Sequence, residues 1–182
     1  MGEKDGFRLA LVRLSPKLFS VNLIFLEGMA HEVSMSGEKP MVSVDIEELL
    51  PHRNGMKLID SIIEVDKEGA VSKSTVTEKW PLIEGDSINP IVLIELVAQT
   101  AGICIGWEEH KKKGKNTKGK GWLAGVKEAL FYCERIPLDS HIMTEVRRVF
   151  DFENYHEILG MIRVDGELVG KVSVQIVKSV LG

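Results

Sequence analysis

The chain has 182 residues, 44 % of them hydrophobic and 27 % charged, with a formal net charge of −4. That composition suits one globular domain plus an extension, and the negative balance removes any global electrostatic case for nucleic acid or an anionic membrane as partner. No stretch reaches the roughly 18 uninterrupted apolar residues of a membrane span, and no Cys/His pair has metal-ligand spacing, so neither a transmembrane helix nor a metal site is expected.

Residues 1–40 show no clear period and end in the loop-like Ser36-Gly37-Glu38-Lys39-Pro40. They read as a loose N-terminal extension, with a single domain over 41–182. Arg8, Arg13 and Lys17 precede Leu18 to Leu26, a short, polar-interrupted imitation of a secretory signal. The other reading is upstream sequence from too early a start, with Met29, Met35 and Met41 as later ones. Cys104 and Cys133 are far apart in apolar settings, which favours two buried thiols in a reducing cytoplasm over a disulfide.

Asp45 to Leu50 reads as a short helix with early acids, followed by the loop Pro51-His52-Arg53-Asn54-Gly55. Met56 to Asp66 alternates as a strand, Asp66-Lys67-Glu68-Gly69 turns, and Ala70 to Glu78 returns as an exposed-face strand of a hairpin, with Val71 and Thr75 alternating with Ser72 and Ser74. Trp80 to Asn89 is an irregular loop.

Pro90 to Trp107 is apolar on almost every face, which places a helix in the middle of a core. Asn89 is a good N-cap and Pro90 suits the first turn. Glu95 and Gln99 break the apolar surface on one face, four residues apart. A carboxylate buried there needs a partner or a chemical task. The helix tail, Glu108 to Lys113, places its cations where the dipole favours them, and a Lys-rich loop of 114–119 follows. Gly121 to Cys133 is a strand, Arg135 to Asp139 a turn, and His141–Asn154, Tyr155–Val164 and Leu168–Val177 are three further strands, the last two joined at Asp165-Gly166.

Strands gathered around one long helix predict an α+β domain in which a single antiparallel sheet wraps that helix. One sheet cannot cover such a helix on all sides. A dimer joining two sheets edge to edge is therefore expected.

Leu49-Leu50-Pro51-His52-Arg53 followed by Met56-Lys57-Leu58-Ile59-Asp60 resembles the opening of hot-dog-fold 3-hydroxyacyl-carrier-protein dehydratases. Ile94-Glu95-Leu96-Val97-Ala98-Gln99-Thr100-Ala101-Gly102 resembles their helix, and Trp122 to Val126 with Ile136-Pro137 their next strand and turn. The likeness covers residues 45–178 and is nearest to the FabZ-like group of aryl-polyene and related pigment clusters.

The resemblance implies a hot-dog fold and syn elimination of water from a 3-hydroxyacyl thioester. In the family a loop His takes the proton at C2, a helix Glu protonates the leaving hydroxyl, and amides at the helix start polarise the thioester carbonyl. The His and Glu usually come from different subunits. Carried onto this chain, the acid is Glu95, the polar residue one turn on is Gln99, and the amide positions are Ile91 and Val92. The base does not carry over. The pigment-type loop His-Pro-Phe-Leu is Trp80-Pro81-Leu82-Ile83 here, and the fatty-acid type Gly-His-Phe-Pro-Gly is Gly85-Asp86-Ser87-Ile88-Asn89.

His52 and Asp86 are the substitute bases to consider. Against these roles stand a structural Glu95, a structural His52 in the opening motif, Asp86 as a turn residue, and Gln99 as an orienter. Trp80 is either a pocket wall or core. The Lys run of 111–120 is a solvated loop or a docking site for an acidic carrier protein or a coenzyme A phosphate.

Three functions follow: a FabZ-like dehydratase acting on acyl-carrier-protein or coenzyme A thioesters without a cofactor, a non-catalytic acyl-thioester-binding partner in a hot-dog heterodimer, or an acyl thioesterase using Glu95 or Asp86. All three suit the cytoplasm and a homodimer or heterodimer.

Overall fold

The structure, a computed structural model, describes residues 12–13, 44–113 and 121–178. The extension expected over 1–40 and the Lys-rich loop therefore fall almost wholly outside the described residues.

Among the described residues two helices and ten strands follow in order: β1 Val12–Arg13, α1 Ile46–Leu49, β2 Ser61–Val65, β3 Gly69–Thr75, β4 Ile83–Glu84, β5 Ser87–Ile88, α2 Val92–Lys113, β6 Gly121–Phe131, β7 Ile136–Pro137, β8 His141–Phe152, β9 Tyr155–Val164 and β10 Glu167–Lys178. Local chemistry sets most of the boundaries. Asp45 caps α1, its Oδ1 accepting from the Glu47 amide at 2.9 Å. Leu50 is already extended, as a residue before proline prefers. Asp66 Oδ1 accepts from the amides of Glu68 and Gly69 and so builds the β2–β3 turn. Asp165 (φ 48°) and Gly166 (φ 93°) form the two-residue β9–β10 turn that their sequence predicts.

The strands make an antiparallel sheet in the order β1-β6-β10-β9-β8-β3-β2. Leu93, Leu96, Val97 and Ile103 of α2 are completely buried, together with Ile142, Ile162, Val172 and Val174 of the sheet. Gly160 on β9 admits the helix: a Cβ there would lie 2.5 Å from a methyl of Val97. The predicted α+β arrangement, a long helix wrapped by one antiparallel sheet, is the arrangement observed.

Three details differ from the sequence reading. β2 begins at Ser61, not Met56, because Asn54–Met56 forms a 3₁₀ turn with Asn54 at φ 54°. The loop of 80–89 contains a short hairpin, β4–β5, which joins β7 in a second, three-stranded sheet. The expected exposed face of β3 is also inverted. Ser72 and Ser74 are buried, and Ser72 Oγ meets Thr100 Oγ1 of α2 at 2.8 Å. A hydroxyl partner on the helix lets a polar residue occupy the inner face.

The sheet leaves one stripe of α2 incompletely covered: Ile94, Glu95, Ala98 and Gly102 are half-buried, and Ile91, just before the helix, is exposed. Among the described residues no helix is long and apolar enough to cross a membrane.

Candidate active site

The site is assembled where α1 meets α2. Gly102 and Gly106 form the meeting surface. A Cβ on Gly102 would lie 2.8 Å from Leu50 Cδ2, and one on Gly106 would lie 2.8 Å from the Leu49 carbonyl oxygen. Absence of both side chains lets α1 lie directly on α2. The chain then leaves α1 through extended Leu50 and Pro51, and the next residue, His52, falls over the first turns of α2.

There His52 Nε2 is 3.2 Å from Glu95 Oε1, with the two side chains 31 % and 32 % exposed. Gln99 is buried and makes three contacts. Its Nε2 donates to Glu95 Oε1 at 2.9 Å and to the Met56 carbonyl at 2.7 Å, and its Oε1 accepts from the Leu58 amide at 3.0 Å. The same side chain thus orients the carboxylate and fastens the loop carrying His52. Glu95 Oε1 thus faces two nitrogens, His52 Nε2 and Gln99 Nε2. His52 Nδ1 is buried without a hydrogen-bond partner among the described residues.

The helix start does not present the amides that the resemblance implied. The Ile91 amide donates to Asn89 Oδ1 at 3.1 Å, and the Val92 amide donates to the Asn89 carbonyl at 3.2 Å. The Asn89 cap satisfies both within the chain, as helix termini require. Val92 is also buried in the core, so its side chain does not face a substrate; Ile91, 49 % exposed, sits one turn before Glu95 on the same face.

Two other sequence candidates fall elsewhere. Trp80 is core, buried with Val76 and Ile88 in the main hydrophobic cluster. Asp86 is exposed in the Gly85-Asp86 turn of β4–β5, where its carbonyl accepts from the Leu138 amide at 2.9 Å. No contact joins its carboxylate to Glu95 or His52 among the described residues. A two-residue turn projects its side chain outward, toward solvent. Two open hollows of about 400 and 470 Å³ lie away from the pair, one at the far end of α2 around Glu108 and Arg148, the other over β2, β3 and β8.

Sequence reasoning did not find Met56 and Leu58, whose backbone groups hold Gln99, nor Arg53, whose side chain grips the His52 loop. A backbone contact leaves no trace in residue type, whereas Arg53 stood in the Leu-Pro-His-Arg motif.

The sequence pattern of one protein family, described as ApeP dehydratase, matches residues 44–179. The chain belongs to the ApeP-like dehydratase family. The dehydratase is also 32 % identical to the 3-hydroxyacyl-acyl-carrier-protein dehydratase FabZ of Streptococcus uberis, over 71 % of this chain and 89 % of that protein. The same enzyme of Streptococcus sanguinis is 31 % identical over 70 % and 88 %.

Among solved structures, the dehydratase heterocomplex ApeI:P from Xenorhabdus doucetiae superposes with TM-score 0.67 at 20 % identity, covering 76 % of this chain and 93 % of the other. Cj0977, a sigma28-regulated virulence protein of Campylobacter jejuni, superposes with TM-score 0.58 at 21 % identity, over 74 % and 95 %. At such identities the structures speak for the fold, which is the hot-dog fold.

Proposed function

We propose that this dehydratase converts 3-hydroxyacyl thioesters, held on acyl carrier protein or coenzyme A, to trans-2-enoyl thioesters, with Glu95 and His52 as its acid–base pair. The observation carrying this reading is the 3.2 Å contact between His52 Nε2 and Glu95 Oε1 at a partly open place on an otherwise buried helix.

In a syn elimination the C2 proton and the C3 hydroxyl leave from one side of the substrate. Two proton-transfer atoms this close together can serve both positions, which avoids a free carbanion and a free hydroxide. In the reactive protonation state Glu95 holds the proton and His52 is neutral. His52 Nε2 takes the C2 proton, the electron pair forms the C2–C3 double bond, and the C3–O bond breaks as Glu95 protonates the oxygen. Water leaves, and the imidazolium returns its proton to the carboxylate across their contact. Gln99 holds Glu95 throughout. The step is redox-neutral and uses no cofactor.

A second reading is favoured by two observations: no His lies in 80–89, and α2 keeps a half-covered stripe beside Glu95. In it a second hot-dog subunit covers that stripe and supplies the base, while Glu95 remains the acid. One structural relative is named as a dehydratase heterocomplex, which supports such an arrangement. The thioesterase reading has no such support, since the matching family and the similar curated enzymes are dehydratases. Free Cys104 and Cys133 suit a reducing compartment, and we place the protein in the cytoplasm.

The test is loss of water from 3-hydroxyacyl carrier protein, followed by mass spectrometry with the purified protein. Glu95→Gln should lower turnover by at least about 100-fold, and His52→Gln by a similar factor. Full activity in Glu95→Gln would sink the reading. Full activity in His52→Gln would remove His52 as the base; no turnover by the protein alone, restored by a second hot-dog subunit whether or not His52 is replaced, would transfer the base to that subunit.

A further inference from the structure

Arg53 follows His52 directly and binds the backbone on both sides of the residues leading to it. Its Nη1 donates to the Leu50 carbonyl at 2.7 Å and to the His52 carbonyl at 2.8 Å, and its Nη2 donates to the Glu47 carbonyl at 2.9 Å. The Glu47 carboxylate holds the guanidinium in turn, with Oε2 3.1 Å from Arg53 Nε, while Oε1 accepts from Lys57 Nζ at 3.1 Å. Glu47 thus ties both flanks of the His52 loop to α1.

An exposed ion pair alone would contribute little. What distinguishes Arg53 is the number of carbonyls it serves. A planar guanidinium fork can satisfy several acceptors at once, and a lysine ammonium has no such shape. The loop is thereby fastened twice, to α1 by Arg53 and to α2 by Gln99, and His52 lies between the two fastenings.

We infer that Arg53 is the positioning residue of the His52–Glu95 pair, setting the imidazole against the carboxylate through the carbonyls of Glu47, Leu50 and His52. This inference rests on the proposed acid–base role of His52. Arg53 touches no reacting atom; it acts through the place that it gives His52. Misplacement of a catalytic group by about 1 Å reduces turnover by roughly 100-fold, so the effect belongs in kcat more than in KM.

Two readouts test it. The imidazole Nε2–H resonance of His52, identified by its disappearance in His52→Gln, reports the contact with Glu95 whether or not the chain turns over alone. In Arg53→Gln it should move toward the position of a solvent-exposed imidazole, and Glu95→Gln should move it likewise. The second readout is kinetic, on the protein with whichever subunit it needs. Arg53→Gln should lower kcat by at least about tenfold with KM within about twofold. Arg53→Lys, which keeps the charge, provides a folded comparison should Arg53→Gln not fold, and it should show the same direction of change.

A wild-type resonance and wild-type kcat in either folded variant would overturn the inference. Loss of activity in Arg53→Gln through KM alone, with the resonance unmoved, would also overturn it. The parent reading fails differently: His52→Gln would keep full activity while Arg53→Gln still moved the resonance.

Discussion

Gln99 shows how one buried polar side chain can link stability and chemistry. It satisfies the Leu58 amide and the Met56 carbonyl while holding Glu95. Gln99→Leu keeps similar bulk but leaves the buried Leu58 amide without an acceptor. The expected cost is about 1–3 kcal/mol of unfolding free energy, read by urea denaturation, together with slower turnover as Glu95 loses its orienter. Thr100→Val should be milder in turnover yet still destabilising, because Ser72 Oγ would lose its hydroxyl partner inside the core. If both substitutions gave the same loss of activity per unit of lost stability, the link between Gln99 and Glu95 would be disproved.

At the scale of elements, α2 is held in two ways. Along its middle, the notch of Gly102 and Gly106 receives α1. Gly106→Ala would put a Cβ 2.8 Å from the backbone oxygen of Leu49. Backbone cannot rotate aside as a side chain can, so α1 must shift. A loss of about 1–3 kcal/mol is expected by chemical denaturation, with lower activity because α1 carries the His52 loop.

The far end of α2 is held by charge. Glu108 meets Lys112 at 2.7 Å, Lys178 of β10 at 3.1 Å and Arg148 of β8 at 3.2 Å. Burial alone pushes the Glu108 carboxyl up, but hydrogen bonds from Lys112, Lys178 and Arg148, and the charge of Lys178, bring it from 4.5 to about 2. A carboxylate whose folded value is depressed stabilises the fold above pH 4.5, and that stability is lost as pH falls toward about 2. His156 acts at higher pH. Burial, followed by the charge of Lys178, lowers its imidazole from 6.5, so the unfolded chain binds its proton first and stability declines below that value. Thermal midpoints taken from pH 7 to pH 3 should therefore fall in two stages, and Glu108→Gln should flatten the lower one.

For the whole molecule, the incompletely covered stripe of α2 sets the expectation. Ile91 is exposed beside the half-buried Glu95, and Met56 and Leu82 are exposed nearby, Met56 in the loop held by Gln99 and Leu82 bonded through its carbonyl to the Asn89 amide. Apolar groups gathered around a polar pair favour a covering subunit over bare solvent. Light scattering at micromolar concentration should give a dimer: twice the mass of the chain when alone, or the summed mass of the two chains after co-expression with a second hot-dog protein. A strict monomer in both cases would refute the dimer.

Local rules determined much of this protein from its sequence. The run from Pro90 to Trp107 had to be a core helix because almost every face is apolar, and Asn89 marked its start. The Asp165-Gly166 turn and the alternation of the following strand placed β9 and β10, and the motifs around Glu95 indicated the family. Tertiary structure alone decided three things. It turned Ser72 inward, since Thr100 waits on the helix across from it, and carried Ser74 to the same inner face. It put Asp86 on an exposed hairpin turn. It also laid His52 on Glu95, although the motif loop and the helix are far apart in the chain. The physical reason is the same in each case. Turn chemistry and periodicity are properties of neighbouring residues, whereas the choice of which loop lies over which helix turn depends on close approaches, such as α1 on Gly102 and Gly106, whose partners become known only when the chain has folded.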